Sequence, residues 1–252
     1  MVTLRSMFQK VFIMGSAGFF LSTAFLVDPQ SSSAQGFSRT PTLMAKRPKN
    51  ASNNFQGGAV RGECPVGKKS LMALIPAKDI GQTTQAYPTF WFYLPFGKTT
   101  FTPSGESEVT VASAKFVLLD EDRKPVLKQP LILLLPDKEG IVKLTLPKTE
   151  KALQAGKDYQ WFFSIVCDAE QPSSNPTISG WLTRVPTNTK PAKQTKTTQP
   201  QAVAKSDFWL EYLNQVATTR TQNPAAWSDL LKSFGLQELA GQPVSELKSA
   251  TK

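Results

Sequence analysis

Leu153-Gln154-Ala155-Gly156-Lys157-Asp158-Tyr159-Gln160-Trp161 runs directly into Phe162-Phe163-Ser164-Ile165-Val166-Cys167. The first part reads as a turn at Gly156, and the second as a strand carrying aromatic and β-branched residues in alternation. Leu153, Gly156, Tyr159 and Trp161 match a tyrosine corner, in which a Tyr opening a core strand bonds its hydroxyl back to the turn it has just left. The stretch therefore speaks of fold rather than of chemistry.

Working outward, short apolar runs separated by Pro, Gly and Asp predict strands at residues 70–75, 89–94, 108–119, 126–135, 141–146, 158–166 and 177–185. Asp120-Glu121-Asp122-Arg123-Lys124 and Lys138-Glu139-Gly140 read as polar hairpin loops between them. In residues 141–146 Val142, Leu144 and Leu146 share an apolar face, whereas residues 131–135 are apolar throughout, as in a strand covered on both sides or lying against a neighbouring element. The expected fold is mainly β: an antiparallel, immunoglobulin-like two-sheet sandwich with a short C-terminal α-helical hairpin. In that hairpin Phe208, Trp209, Tyr212, Leu213 and Val216 form one apolar stripe after an N-cap at Ser206. Pro224 opens a second helix through Trp227, Leu230, Leu231 and Phe234, which Gly235 stops. The pair resembles a single tetratricopeptide-type hairpin, too small to bury its own stripe, so it docks on the sandwich or on a partner.

Composition divides the chain further. Arg5 and Lys10, the uncharged apolar run of residues 11–27, and Ser32-Ser33-Ala34 fit a secretory signal over residues 1–34. The expected destination is export to the periplasm, the cell surface or the medium; an uncleaved inner-membrane anchor is the alternative. Residues 35–56 read as a disordered basic linker, 57–186 as the sandwich, 187–205 as a disordered Thr/Lys/Pro/Gln linker, 206–240 as the helical hairpin and 241–252 as a disordered tail.

The net charge of +10 lies in the linkers, because Arg39, Lys46, Arg47, Lys49 and Arg61 meet no acid before Gly62, and Lys190, Lys193, Lys196 and Lys205 meet none in the second linker. That pattern implies weak contact with anionic surfaces rather than nucleic-acid binding. Cys64 and Cys167 are the chain's two cysteines, an even count that reads as a disulfide in an oxidising compartment, with two buried thiols as the alternative.

Candidate chemistry is sparse. The chain has no histidine, which removes the commonest general base and metal ligand. Residues 62–68 match the first seven positions of a P-loop, but Lys69 stands where Ser or Thr must hold magnesium. The stretch therefore reads as a turn with a disulfide anchor. Asp120, Glu121 and Asp122 have the oxygens for calcium without the loop spacing, and read as a solvated hairpin tip. Glu63, Asp158, Asp168 and Glu170 could supply the paired carboxylates of a glycosidase. Ser245 and Lys248 have a Ser-x-x-Lys spacing that reads as chance. In the strand of residues 89–94 Phe90 and Phe92 face one way, Trp91 and Tyr93 the other. The second face is either an exposed platform for sugar rings or Pro-rich peptides, or is buried between the sheet and the helical tail.

Arg61-Gly62-Glu63-Cys64-Pro65, Ala73-Leu74-Ile75-Pro76, Tyr87-Pro88-Thr89-Phe90-Trp91-Phe92-Tyr93-Leu94-Pro95, Gly140-Ile141-Val142, residues 153–168 and Gly180-Trp181 with Arg184 resemble, in that order, a family of exported cyanobacterial proteins catalogued as a domain of unknown function. The resemblance spans roughly residues 57–235 and implies a signal sequence, a sandwich-like core and a helical tail, with no activity attached. Cys167 lies eight residues after Tyr159 rather than the two of an immunoglobulin domain, so the analogy stops at layer architecture.

The sequence thus reads as an exported, non-enzymatic β-sandwich without metal or cofactor. Its expected partner is an envelope polysaccharide or a protein, bound through Trp91, Tyr93, Trp209 and Tyr212. The alternative is a carbohydrate-active hydrolase using two acids.

Overall fold

The computed structural model describes residues 64–65, 67–75, 81–102, 108–189 and 208–250. The signal segment, Glu63, Ser206, and the basic residues of both linkers lie outside them. Among the described residues the protein is mainly β, with a six-stranded and a four-stranded sheet, a separate two-stranded pair and two short helices. In chain order the strands are β1 Met72–Ala73, β2 Gln82–Thr83, β3 Thr89–Leu94, β4 Thr99–Phe101, β5 Val109–Val111, β6 Ser113–Asp120, β7 Leu131–Leu134, β8 Gly140–Thr145, β9 Lys157–Val166 and β10 Thr177–Arg184. Helices α1 Trp209–Thr218 and α2 Pro224–Lys232 follow, then β11 Ser245–Glu246 and β12 Lys248–Ser249. One sheet has the order β12-β7-β6-β9-β10-β2, the other β1-β3-β8-β11, and β4 pairs with β5.

Alternation puts Tyr159, Trp161, Phe163 and Ile165 of β9 on one buried face. Opposite them Phe90 and Phe92 project from β3. Ring centroids lie 5.0 Å apart for Phe90 and Phe116, 6.0 Å for Phe90 and Trp161, 5.9 Å for Phe92 and Trp161, and 4.1 Å for Phe92 and Phe163. These rings join the two sheets, each pair contributing about 0.5–1.5 kcal/mol beyond its burial.

The turn before β9 closes on itself. Gly156 sits at φ 80°, where an L side chain would be strained. The Gln154 N–H donates to the Tyr159 hydroxyl at 2.7 Å, the Gly156 N–H to the Arg184 carbonyl at 2.6 Å, and the Arg184 guanidinium to the Leu153 carbonyl. Three backbone groups of the turn are thereby satisfied by one Tyr and one Arg.

Several expectations need correction. The predicted strand at 108–119 is two strands, β5 and β6, because β5 pairs with β4 while Ala112 between them accepts from the Leu135 N–H at 2.9 Å. Residues 131–135 are not covered on both sides: Leu133 is fully buried, but Ile132 is 41% and Leu134 51% exposed. The tail at 241–252 holds two strands, β11 running parallel to β8 and β12 antiparallel to β7. Leu247 between them is buried, and its N–H donates to the Lys143 carbonyl. Short edge strands of this kind cover exposed backbone groups of a neighbour, which residue type alone does not disclose. The pairings of β11 with β8 and of β2 with β10 are parallel, so the sheets are not purely antiparallel.

The P-loop-like stretch has a packing role. A Cβ on Gly67 would fall 2.5 Å from Pro95, and the Lys69 ammonium bonds the Gly235 carbonyl and the Glu238 carboxylate, the latter at 2.5 Å. Lys69, the residue that spoils the nucleotide reading, ties the end of the α2 segment to the strand region.

Candidate functional site

The helices lie against the outer face of β3. Asn223 caps α2 by accepting from the Ala226 N–H at 3.2 Å, with Pro224 in the first turn. Trp227 of α2 meets Trp91 at a centroid distance of 6.3 Å, and the Trp209 indole N–H of α1 donates to the Leu74 carbonyl at 2.6 Å. Trp209 also packs on Tyr212 at 5.7 Å and on Phe234 at 5.9 Å.

The aromatic candidate surface is consequently internal. Trp91 is 3%, Tyr93 2% and Trp209 2% exposed, and only Tyr212 is half-buried. Of the two alternatives for the Trp91 and Tyr93 face, burial between the sheet and the helical tail is the one observed, so these residues offer no exposed stacking platform: the helical stripe needed an apolar face to cover, and β3 supplies it. The Tyr93 hydroxyl lies 3.5 Å from Glu139 Oε2, and burial first, then that carboxylate, pushes its pKa up to about 12. Burial likewise raises the Tyr212 and Tyr159 hydroxyls.

Two of the acidic candidates, Asp158 and Asp168, lie at opposite ends of β9, whereas Glu170 shares the Asp168 turn and Glu63 lies outside the described residues. Asp158 accepts from the Thr183 hydroxyl at 2.5 Å at the start of β9, and Asp168 accepts from the Glu170 and Gln171 N–H groups just past its end. A strand of that length separates them by roughly 30 Å, against the ~5–10 Å between paired glycosidase carboxylates. At the hairpin tip Asp120 Oδ1 accepts from the Asp122 and Lys124 N–H groups at 2.9 Å, Glu121 pairs with Lys157, and Asp122 with Lys124 at 3.8 Å. A cavity of about 230 Å³ beside this tip is therefore bordered by acids already engaged. Among the described residues no three acids or cysteines cluster as a metal site would require. Ser245 and Lys248 belong to the two edge strands of the tail.

Cys64 and Cys167 form a disulfide with Cα atoms 5.4 Å apart and a sequence separation of 103. Asn175 builds the bend around Cys167: its carboxamide oxygen accepts from the Cys167 and Asp168 N–H groups at 2.8 and 2.9 Å, and its amide donates to the Asp168 carbonyl at 2.7 Å.

The feature with binding character is a cleft between α1 and the chain leading from β2 into β3, a cavity of about 420 Å³. Glu211, Asn214, Gln215 and Thr218 line it from the helix, at i, i+3, i+4 and i+7, and so share one face. Gln85, Tyr87, Pro88 and Thr89 line it from the other side.

Glu211 holds the two walls together. Its Oε1 accepts from the Thr84 N–H at 2.7 Å, the Thr83 hydroxyl at 2.8 Å and the Thr84 hydroxyl at 3.2 Å. Its Oε2 is buried with no hydrogen-bond partner. Such an oxygen is exceptional, since buried polar atoms are nearly always bonded.

Sequence reasoning missed this cleft while it searched for charged and aromatic residues. The available signal was the second stripe on α1, Glu211, Asn214, Gln215 and Thr218, alongside the apolar one.

A family model described as Domain of Unknown Function (DUF928) matches residues 56–244, from ahead of the disulfide to beyond α2. No curated protein and no solved structure matches the chain.

Proposed function

The chain belongs to the DUF928 family, and we propose that it is an exported, non-enzymatic protein that binds an envelope polymer through the cleft between α1 and the β2–β3 segment. A protein partner at the same face is the other outcome of the test below. Export is supported by the basic and then apolar N-terminus, and by the disulfide, which suits an oxidising compartment. Cyanobacterial origin belongs to the same proposal. The finer fold reading is also part of it: an immunoglobulin-like sandwich, supported by the tyrosine-corner bond and the aromatic seam, with α1 and α2 as a helical hairpin.

The observation that carries the proposal is the cleft itself. It has the size of a ligand site and walls of carboxamides and hydroxyls around one carboxylate. The basic linkers add a second, non-specific contact to anionic material, which salt screens.

Co-sedimentation of the full-length oxidised protein with insoluble envelope material tests this. Binding is expected to fall in part as salt rises and then to level off, the remainder belonging to the cleft. Asn214→Ala with Gln215→Ala is expected to weaken that remainder about tenfold, since two hydrogen bonds of about 0.5–1.5 kcal/mol each are lost. Sedimentation unchanged by the double substitution would contradict the cleft assignment. Release of soluble fragments from the polymer would contradict the non-enzymatic reading.

A further inference from the structure

Away from the cleft, the outer face of the six-stranded sheet is apolar and basic around β7, and we infer that this face rests on an anionic lipid bilayer. The inference is independent of polymer binding. Ile132 and Leu134 are the two large apolar side chains left exposed among the described residues, at 41% and 51%. Both point away from the core, because Leu133 between them is fully buried. Residues paired across a ladder share a face, so the register extends the patch. Ile132 pairs with Lys115, and Leu134 with Ser113 and Lys248. Ser113 in turn pairs with Val166, and Val117, next outward after Lys115, with Phe162. Val117, Phe162 and Val166 are part-exposed, on a face where an antiparallel sheet standing in water carries polar residues.

Charge selects the occupant. Lys115 and Lys248 stand among these apolar side chains. On β9 the outward acid is Asp158, about 20 Å along the strand from Ser164, the partner of Lys115, and the Thr183 hydroxyl donates to it. Asp168, past the end of the strand, accepts from the Glu170 and Gln171 N–H groups. A second copy docked face to face would set lysine against lysine. Pairing of copies along the β12 edge meets Lys248, a charge of the kind that blocks strand addition.

An anionic bilayer matches both parts of the patch. The acyl boundary takes Ile132 and Leu134, and the headgroups take the two ammonium groups, whose stems lie along apolar surface. A single weak anchor gives only marginal attachment to lipid, whereas an apolar contact joined to a basic one holds. The lysines and arginines of residues 35–62 and 187–205 add attraction of the same sign.

The test is flotation of the oxidised chain from residue 35 with vesicles of phosphatidylglycerol and phosphatidylcholine, against vesicles of phosphatidylcholine alone. That chain keeps both basic linkers and every described residue, and lacks the apolar run of residues 11–27, which enters bilayers by itself. Binding to the anionic vesicles is expected, and Ile132→Ser with Leu134→Ser is expected to weaken it about tenfold. Both positions are exposed, so neither substitution opens the core. Lys115→Gln with Lys248→Gln is expected to weaken it about as much, through lost attraction to the headgroups. Absence of binding to the anionic vesicles, or equal binding to the neutral ones, would overturn the inference. Affinity unchanged by both pairs of substitutions would also overturn it, and would assign attachment to the linkers. So would a dimer of the free protein in sedimentation velocity that Ile132→Ser with Leu134→Ser abolishes, which would make the face a contact between copies. The vesicles carry no polysaccharide, so a failure here leaves the cleft reading standing.

Discussion

Trp161→Ala is expected to destabilise the protein by about 3–5 kcal/mol, the cost of deleting a fully buried large aromatic. Trp161 has no exposed surface and stands between Phe90 and Phe92, where it joins β9 to β3 across the two sheets. Removing it takes away the transfer free energy of the ring, leaves a void that close-packed neighbours fill only in part, and ends two ring contacts. Domains of this size are held by only about 5–15 kcal/mol in total, so the loss is a large share. Equilibrium urea denaturation measures it. Leu134→Ala, on a residue 51% exposed, is the control and is expected to stay within about 0.5 kcal/mol of the parent. A Trp161→Ala midpoint equal to that of the control would contradict the seam as the centre of the core.

Replacing both cysteines by serine is expected to cost about 4–5 kcal/mol in the chain-entropy account, because the bond closes a loop of about a hundred residues in the unfolded chain. The bond joins the chain just ahead of β1 to the end of β9, so the loop it closes includes β1 through β9 and hence both sheets. The native state loses little else, since Asn175 continues to hold the bend at Cys167 through three hydrogen bonds. Denaturation of the parent with and without reductant provides the same comparison without substitution. Equal stability in the two conditions, with intact mass showing two free thiols, would contradict the bond.

These two effects rest on features that were legible in the sequence, and the reasons are local. The turn at Gly156 and the alternation from Tyr159 to Ile165 specify β9 because corner, strand and core face are all written in consecutive residues. β3 was legible for the same reason, Phe90 and Phe92 alternating with Trp91 and Tyr93. Pro224 and Gly235 mark the helical segment by what their backbones permit.

What was not legible depends on distant pairs. β2, β11 and β12 are two residues each, too short for any period, and exist because the backbones of β10, β8 and β7 offer partners. Whether Trp91 faces solvent or a helix is decided by Trp227, far along the chain. The cleft is the extreme case: its walls meet through Glu211 and Thr84, 127 residues apart, and each lining residue is ordinary where it stands. Lys69 shows the converse, a motif position whose meaning changed once Glu238 was found beside it.

The central claim is that this protein binds a polymer in the α1 cleft, and hydrogen–deuterium exchange of the full-length oxidised chain with and without bound envelope polysaccharide tests it most directly. Slowed exchange confined to residues 82–89 and 209–218 is the result expected. Bound protein whose protection falls elsewhere, at the open β7 face bearing Ile132 and Leu134 for instance, would contradict it.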